Sequence, residues 1–283
     1  MSILGPNIAN LQAKRDVAGL VQALKSRDIR TRCAALHVLG ELRDPRALPV
    51  LHDWLFANGS QTPEKTEAAE ALGKLGDAST IDALFKANAI SRERERQEID
   101  DSIDTRGKTY RPGFYVNRIA ADEYALRAAI AQAIARVGGA LAVETLFQML
   151  ATEEGAMASP VKAAIRNAIA DALKNLDTQI VPVLCAQLKN ASVDVREWAA
   201  HCLNEFPDAR AQEALLDAAC DAQEHFAVRE AALVTLGKIG AARAVGFGSV
   251  DAFRSAWPGA RRETMRDRDS SALEPADDNG ILM

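Results

Sequence analysis

Apolar residues recur along the chain at the three- and four-residue spacing of amphipathic helices. Early examples are Val17, Leu20, Val21 and Leu24, then Leu48, Leu51 and Leu55. Each such run is followed by a short polar linker and a second apolar run, as in Thr31–Gly40 and Glu64–Gly73. The pattern therefore predicts a series of hairpins, each made of a helix A, a turn and a helix B.

The B helices share one motif, which is clearest in Val195–Leu203 and Val228–Gly237, two segments that align without a gap. Four more segments fit the same frame, so we expect about six repeats. A basic residue occupies the second position of every copy: Arg32, Lys65, Arg127, Arg166, Arg196 and Arg229. The first step of this basic column spans 33 residues, which is the length of one helix hairpin.

The recurring pattern Val-Arg-x-x-Ala-Ala-x-x-Leu-Gly-x-hydrophobic-Gly-Asp resembles the HEAT-like repeats first grouped with phycobilisome (phycobilin) lyases. The resemblance covers residues 16–243 and implies an all-α solenoid whose B helices line a concave groove. It also implies packing roles for the motif: alanines allow close helix approach, leucines fill the core, and the basic column bonds within the stack. The motif glycines are expected to form the left-handed turn that ends a helix.

The repeat period breaks once, because 62 residues separate Lys65 from Arg127. We expect an insertion at about 91–121, between a helix A near Ile81–Ala89 and a helix B near Asp122–Val137. Its charged first half is also consistent with a simple helix extension. Its second half, with the residues just after it, holds all three tyrosines of the chain beside arginines, the residue types that most often anchor interfaces. The predicted partner-binding residues here are Tyr110, Arg111, Phe114, Tyr115, Arg118 and Tyr124.

Charge narrows the class of partner. The formal net charge is -5 and the pI is about 5.5, which disfavours nucleic acid. The predicted solvent side of the B helices holds six acidic residues against three basic ones: Glu41, Glu70, Asp171, Glu197, Glu205 and Glu230 against Lys74, Arg136 and Lys238. We therefore expect a basic or mixed protein surface as the partner, with Glu197 and His201 on the groove floor.

The two ends of the chain and its most apolar stretch indicate its location and domain limits. The first 16 residues lack the pattern of a signal peptide, and residues 126–143 are interrupted by Arg127, Gln132 and Arg136. The sequence predicts a cytoplasmic protein that does not enter membranes. Residues 1–257 are expected to form the solenoid, and the polar residues 258–283 a disordered tail.

No residue pattern indicates catalysis. HEAT-type di-iron hydroxylases use repeated His-Glu dipeptides, whereas the four histidines here precede Val38, Asp53, Cys202 and Phe226. The cysteines Cys33, Cys185, Cys202 and Cys220 are scattered singly and are expected to be buried thiols. No metal site, catalytic residue or cofactor is predicted.

The sequence thus favours a non-catalytic scaffold or adaptor that holds a partner protein in its groove and with the insertion. A protein-binding inhibitor whose insertion plugs a partner's site is a variant of the same class. The alternative is a bilin lyase-type enzyme or chaperone that attaches a linear tetrapyrrole to an acceptor protein. In that case bilin would be the ligand, held by Tyr115, Tyr124, Arg118, Arg127 and Glu197.

Overall fold

The computed structural model describes residues 7–57, 59–104, 114–153 and 159–239, with the backbone alone for 98–104 and 114–120. These residues form thirteen α-helices and no strand. The helices are α1 Ile8–Ala13, α2 Val17–Ala23, α3 Ile29–Leu42, α4 Leu48–Phe56, α5 Thr62–Leu75, α6 Thr80–Asp104, α7 Phe114–Val137, α8 Gly139–Thr152, α9 Pro160–Leu173, α10 Val181–Gln187, α11 Val193–Leu203, α12 Gln212–Cys220 and α13 Phe226–Ile239. Helices α2 to α13 form six successive A/B pairs, which confirms the predicted all-α class and repeat number.

The chain divides into two compact units, Met1–Val183 and Leu184–Met283. In the first unit the B helices α3, α5, α7 and α9 lie side by side, each in contact with the next, and each packs against the A helix of its own hairpin. In the second unit α11 contacts α13, and α12 packs on α13. The predicted tail boundary at 257/258 lies outside the described residues.

The motif places two buried columns on the B helices. Three residues after each basic residue stand Ala35, Ala68, Ile130, Ile169, Ala199 and Ala232, and seven residues after it stand Leu39, Leu72, Ile134, Leu173, Leu203 and Leu236. All twelve are buried. Because one register places the same positions inward in every copy, the six segments are structural repeats as well as sequence repeats.

The motif glycines serve two different purposes. Gly76 has φ 72° at the left-handed end of α5, as expected. Gly40 and Gly73 instead lie inside α3 and α5, so the predicted left-handed turn is wrong for them. A Cβ on Gly73 would stand 2.5 Å from the Cα of Ala133 on α7, so this glycine permits close contact between neighbouring B helices.

Capping aspartates start three of the A helices. Asp44, Asp177 and Asp208 each accept a hydrogen bond from a backbone N–H two residues on, and a 3₁₀ turn follows before the helix begins. The Arg46 guanidinium returns to the Asp44 carboxylate at 2.6 Å and lowers the pKa of Asp44 to about 2. These turns connect α3, α9 and α11 to the A helices that follow them.

The insertion lengthens both helices of the third hairpin. Residues 91–104 continue α6 and residues 114–121 begin α7, giving helices of 25 and 24 residues. The predicted helix limits near 89 and 122 are therefore too narrow, and the alternative that the charged half extends a helix is correct. Half-buried side chains of this extension, such as Glu95, bond to α7. Within the described residues, no helix is both long enough and apolar enough to cross a membrane.

Candidate functional site

The predicted partner-binding residues fall on two helices in different units. Phe114, Tyr115 and Arg118 lie in the first turns of α7, and Tyr124 follows on the same helix. Glu197 and His201 lie one turn apart on α11. Tyr110 and Arg111 lie outside the described residues.

Tyr124 is half-buried and held by a charged cluster. The guanidinium of Arg127 lies 5.2 Å from the centre of its ring. A hydrogen bond to Glu95, followed by burial, raises the pKa of the Tyr124 hydroxyl, because both favour the neutral phenol. Tyr124 therefore fixes α7 against α6, a role that its position among the tyrosines of the insertion did not indicate.

Arg127 is the centre of this cluster and is almost fully buried. Its guanidinium lies 3.0 Å from a Glu95 carboxylate oxygen on α6 and 3.2 Å from one of Glu153, which follows α8. Burial raises the pKa of Glu153, although Arg127 and Arg92 oppose the change. The cluster joins the third hairpin to the fourth.

Other members of the basic column bond to the neighbouring hairpin in the same way. Arg32 pairs with the fully buried Glu64 of the second hairpin and donates to the Ser26 carbonyl at 2.7 Å. Arg196 binds both carboxylate oxygens of Glu224 at 2.7 and 2.8 Å.

The remaining column members differ from these arginines in their described contacts or in residue type. Arg229 donates to the Ala219 carbonyl at 3.1 Å, and Arg166 is half-buried on α9. The Lys65 ammonium forms neither a hydrogen bond nor an ion pair within the described part of the chain, although only 4% of the residue is exposed.

The solvent-facing side of the B helices in the first unit is polar, and ion pairs link its side chains from one helix to the next. We call it the first B face, made of the solvent-side residues of α3, α5, α7 and α9. On it, the Lys74 ammonium lies 2.7 Å from Glu41 and His37 lies 3.3 Å from Glu67. The hydrogen bond from Lys74 lowers the pKa of Glu41. None of the nine charged positions predicted for the B-helix faces of the chain is buried.

The corresponding face of α11 and α13, the second B face, is more acidic. It carries Glu197, Glu205 and Glu230 against Lys238, together with the partly exposed Val234. His201 is exposed, with Nε2 3.9 Å from Glu197 and its ring centre 5.9 Å from that of Trp198. An exposed imidazole, carboxylates and a valine on one face suit contact with a macromolecule better than enclosure of a small substrate.

Comparison with known proteins assigns these repeats to a family. The sequence model of the HEAT repeats matches residues 17–99 and 181–247, together 150 of the 283 residues. The chain belongs to the HEAT-repeat family. The matched ranges contain the first two and the last two A/B pairs, and the resemblance drawn from the motif is confirmed.

Individual relatives are more distant. The chain is 26% identical over 235 residues to deoxyhypusine hydroxylase-B of Oryza sativa subsp. japonica, covering 82% of this chain and 74% of that protein. Human deoxyhypusine hydroxylase in complex with glycerol is 18% identical, with coverage of 94% and 89% and a TM-score of 0.32. The complex of CpcE and CpcF of phycocyanin lyase from Nostoc sp. PCC7120 is 19% identical, with coverage of 90% and 94% and a TM-score of 0.27.

The HEAT hairpins separate the metal-binding residue types of this chain. Among the described residues, which include all four histidines, no three His, Cys, Asp or Glu side chains are placed to share a metal ion. Cys202 is buried, and burial raises the pKa of its thiol to about 12. Cys33 and Cys185 are half-buried and Cys220 is exposed, so the expectation of four buried thiols is met in full only by Cys202 and is wrong for Cys220.

Proposed function

We propose that this protein is a non-catalytic scaffold that holds a partner protein against its B faces and the repeat-three insertion. The observation that carries the proposal is the character of the B faces. They present rows of exposed or half-buried polar side chains on rigid neighbouring helices, above cores of buried alanine and leucine. Rigid rows of this kind bind a macromolecular surface without prior ordering of the protein.

Charge on these faces selects the partner. On the second B face, three glutamates outnumber one lysine, and the Lys238 ammonium is already 3.0 Å from the Asn204 carbonyl oxygen. A basic or mixed partner surface would gain from these carboxylates, mainly in association rate and in discrimination between partners.

The insertion supplies the anchoring residues in this proposal. Phe114, Tyr115 and Arg118 occupy the first turns of α7, directly after Tyr110 and Arg111 in the chain. Aromatic and arginine side chains bury large areas and dominate interface energetics. Tyr124 would act indirectly, since its ring lies under Arg127 and supports the helix that carries the others.

The hydroxylase activity in the name of the rice relative is not part of the proposal. The sequence has no His-Glu dipeptide, and the histidines His37, His52, His201 and His225 stand on separate helices or turns. A di-iron centre needs several such ligands at one place, and the described donor set does not fit one.

The bilin alternative loses one of its named residues to packing. Arg127 is paired with Glu95 and Glu153 and is almost fully buried, so it is not available to a propionate group. The alternative predicts that micromolar bilin changes its visible absorption on addition of the protein. An unchanged spectrum would remove it.

The scaffold proposal is tested by affinity capture followed by a binding assay with the purified partner. Replacing Tyr110, Arg111, Phe114 and Tyr115 together by alanine should weaken binding about thirtyfold or more, because truncated hot spots typically cost about 2 kcal/mol. Replacing Glu197 and His201 by alanine should have a smaller effect that grows at low salt.

The matched control replaces Asp82 and Lys86, two exposed residues of the A helix α6, by alanine. This variant should bind like the parent, and all variants should keep the parent's helical circular dichroism. Undiminished binding by the insertion variant would refute the role of the insertion. Turnover of a substrate by the parent protein would refute the non-catalytic assignment.

A further inference from the structure

Lys65 differs from Arg32, the preceding member of the basic column, in the residue that the next hairpin places at one position. Arg32 pairs with Glu64, which stands one position before the column residue of the second hairpin. The same position in the third hairpin is Leu126, which carries no charge. Lys65 is therefore buried at a junction that lacks the carboxylate found one hairpin earlier.

A pocket of about 130 Å³ opens beside Lys65 in the first unit. Its apolar wall includes Phe56, Leu126 and Ile90, and 43% of Ile90 is exposed. Arg94 lines the same pocket from α6. The largely buried Lys65 thus borders a partly apolar pocket, and the exposed Ile90 lies where the pocket meets solvent.

The charges around the pocket do not balance. The side chains of Lys65 and Arg94 have no hydrogen bond or ion pair with described residues, whereas the buried Glu123 accepts a hydrogen bond from the Ser91 hydroxyl. Burial, and then the charge of Arg94, lower the pKa of Lys65 against the opposing effect of Glu123. Among the described side chains, two cations against one carboxylate leave one positive charge, and a buried charge without a partner is costly.

We propose that this pocket binds a carboxylate carried on a small apolar group, with the carboxylate at Lys65 and Arg94 and the apolar part against Phe56, Ile90 and Leu126. A monoanion would neutralise the excess charge, and the walls would shield its apolar part from water. The proposal does not rest on the scaffold function: Arg94 belongs to the insertion, but no pocket residue is among the side chains named for the partner.

The size of the pocket limits the ligand. An engineered apolar cavity of about 150 Å³ in another protein holds benzene, so a space of this order suits a phenyl ring or a chain of about four to six carbons. Two sources offer this chemistry: a free monocarboxylic acid and the C-terminal carboxylate of a peptide that ends in an apolar residue.

Isothermal titration of the full chain with matched pairs of probes tests the proposal. Hexanoate and benzoate should bind, whereas hexanamide and benzamide, which lack the charge, should not. An acetylated tetrapeptide ending in leucine, as acid or as amide, distinguishes the two sources. Tighter binding of the peptide acid assigns the pocket to chain termini, and tighter binding of hexanoate assigns it to free acids.

Lys65→Met keeps the length and apolar stem of the side chain and should weaken binding of the acids roughly tenfold to a hundredfold. The matched control is Lys86→Met, on an exposed lysine of α6, which should leave binding unchanged. Equal affinity of the Lys65→Met variant and the parent would overturn the proposal, and so would a parent that binds no acid at millimolar concentration.

A second measurement does not depend on the variant. Acylation of lysines by acetic anhydride, followed by mass spectrometry, should show that hexanoate protects Lys65 and leaves Lys86 unprotected. Hexanamide should protect neither. Absence of selective protection of Lys65 in the parent protein would overturn the proposal even if the Lys65→Met variant failed to fold.

Discussion

The junction between the first and second hairpins and the junction between the second and third are packed alike but charged differently. At both, a glycine of one B helix faces an alanine of the next: Gly40 faces Ala71, and Gly73 faces Ala133. At the first junction Arg32 is paired with Glu64, whereas at the second Lys65 has no such partner among the described residues. Stacking of the hairpins therefore depends on small and leucine-like residues. Pairing of the basic column is a separate feature: we call the first junction completed, because a carboxylate pairs with its basic residue, and the second junction open, because no such pair is described there.

The sharpest way to break the completed junction is Arg32→Met, which should lower the free energy of unfolding by about 3 kcal/mol. The loss arises because the Glu64 carboxylate, which also accepts a 2.7 Å hydrogen bond from the Gln61 backbone, stays fully buried without its cation. Chemical denaturation measures the effect, with Arg30→Met on the exposed side of α3 as the control.

A double variant separates charge from packing at this junction. Arg32→Met combined with Glu64→Gln should recover part of the stability, since neither buried charge then remains. A loss in Arg32→Met no larger than that in Arg30→Met would contradict the view that this ion pair stabilises the junction.

Packing at the second junction is probed by Gly73→Ala. Alanine has the higher helix propensity, yet its Cβ would meet the Ala133 backbone, so the free energy of unfolding should fall by about 2 kcal/mol. Gly237→Ala is the matched control, because a Cβ there meets no atom of the described residues within 4 Å and should add up to about 1 kcal/mol of stability. Equal and stabilising effects of the two substitutions, measured by chemical denaturation, would show that close approach is not required at Gly73.

These two junctions also show what sequence patterns can and cannot predict. The buried columns that include Leu39 and Leu72 follow from helical periodicity alone, so the sequence pattern is sufficient to predict six hairpins. The pattern treats Lys65 as equivalent to Arg32, because it records that a residue is basic and not what lies opposite. Only the fold shows that the Lys65 ammonium has no partner among the described residues. An alignment of the repeats does contain one signal, because Leu126 stands where the second hairpin has Glu64.

The insertion illustrates a different limit. The break in the repeat period shows where the insertion lies. Residues 92–97 are charged or polar and have no apolar stripe by which a helix is recognised, so the sequence pattern predicts that α6 ends near 89. The cluster around Arg127 needs Glu95 from this added helix and Glu153 from the next hairpin. Residues so far apart in sequence meet only because α6, α7 and α8 pack together.

The smallest expected effect concerns the charge of Lys65 at the junction between the second and third hairpins. Lys65→Met should raise the free energy of unfolding at pH 7 by at most about 1 kcal/mol, because it removes an ammonium from a largely buried side chain for which no ion pair is described. The lost attraction to the buried Glu123 offsets part of this gain. The pKa of Lys65 is lowered from 10.5 in the folded state, so on raising the pH the folded protein releases this proton before the unfolded chain does. The unfolded state then binds more protons, and the parent gains stability between the lowered pKa and 10.5. The advantage of the variant should therefore be complete at pH 7 and shrink as the pH approaches 10.5, which urea denaturation of parent and variant at both ends of this range would measure. An advantage that stays constant with pH would mean that methionine packs better there, and that the charge of Lys65 does not destabilise the junction.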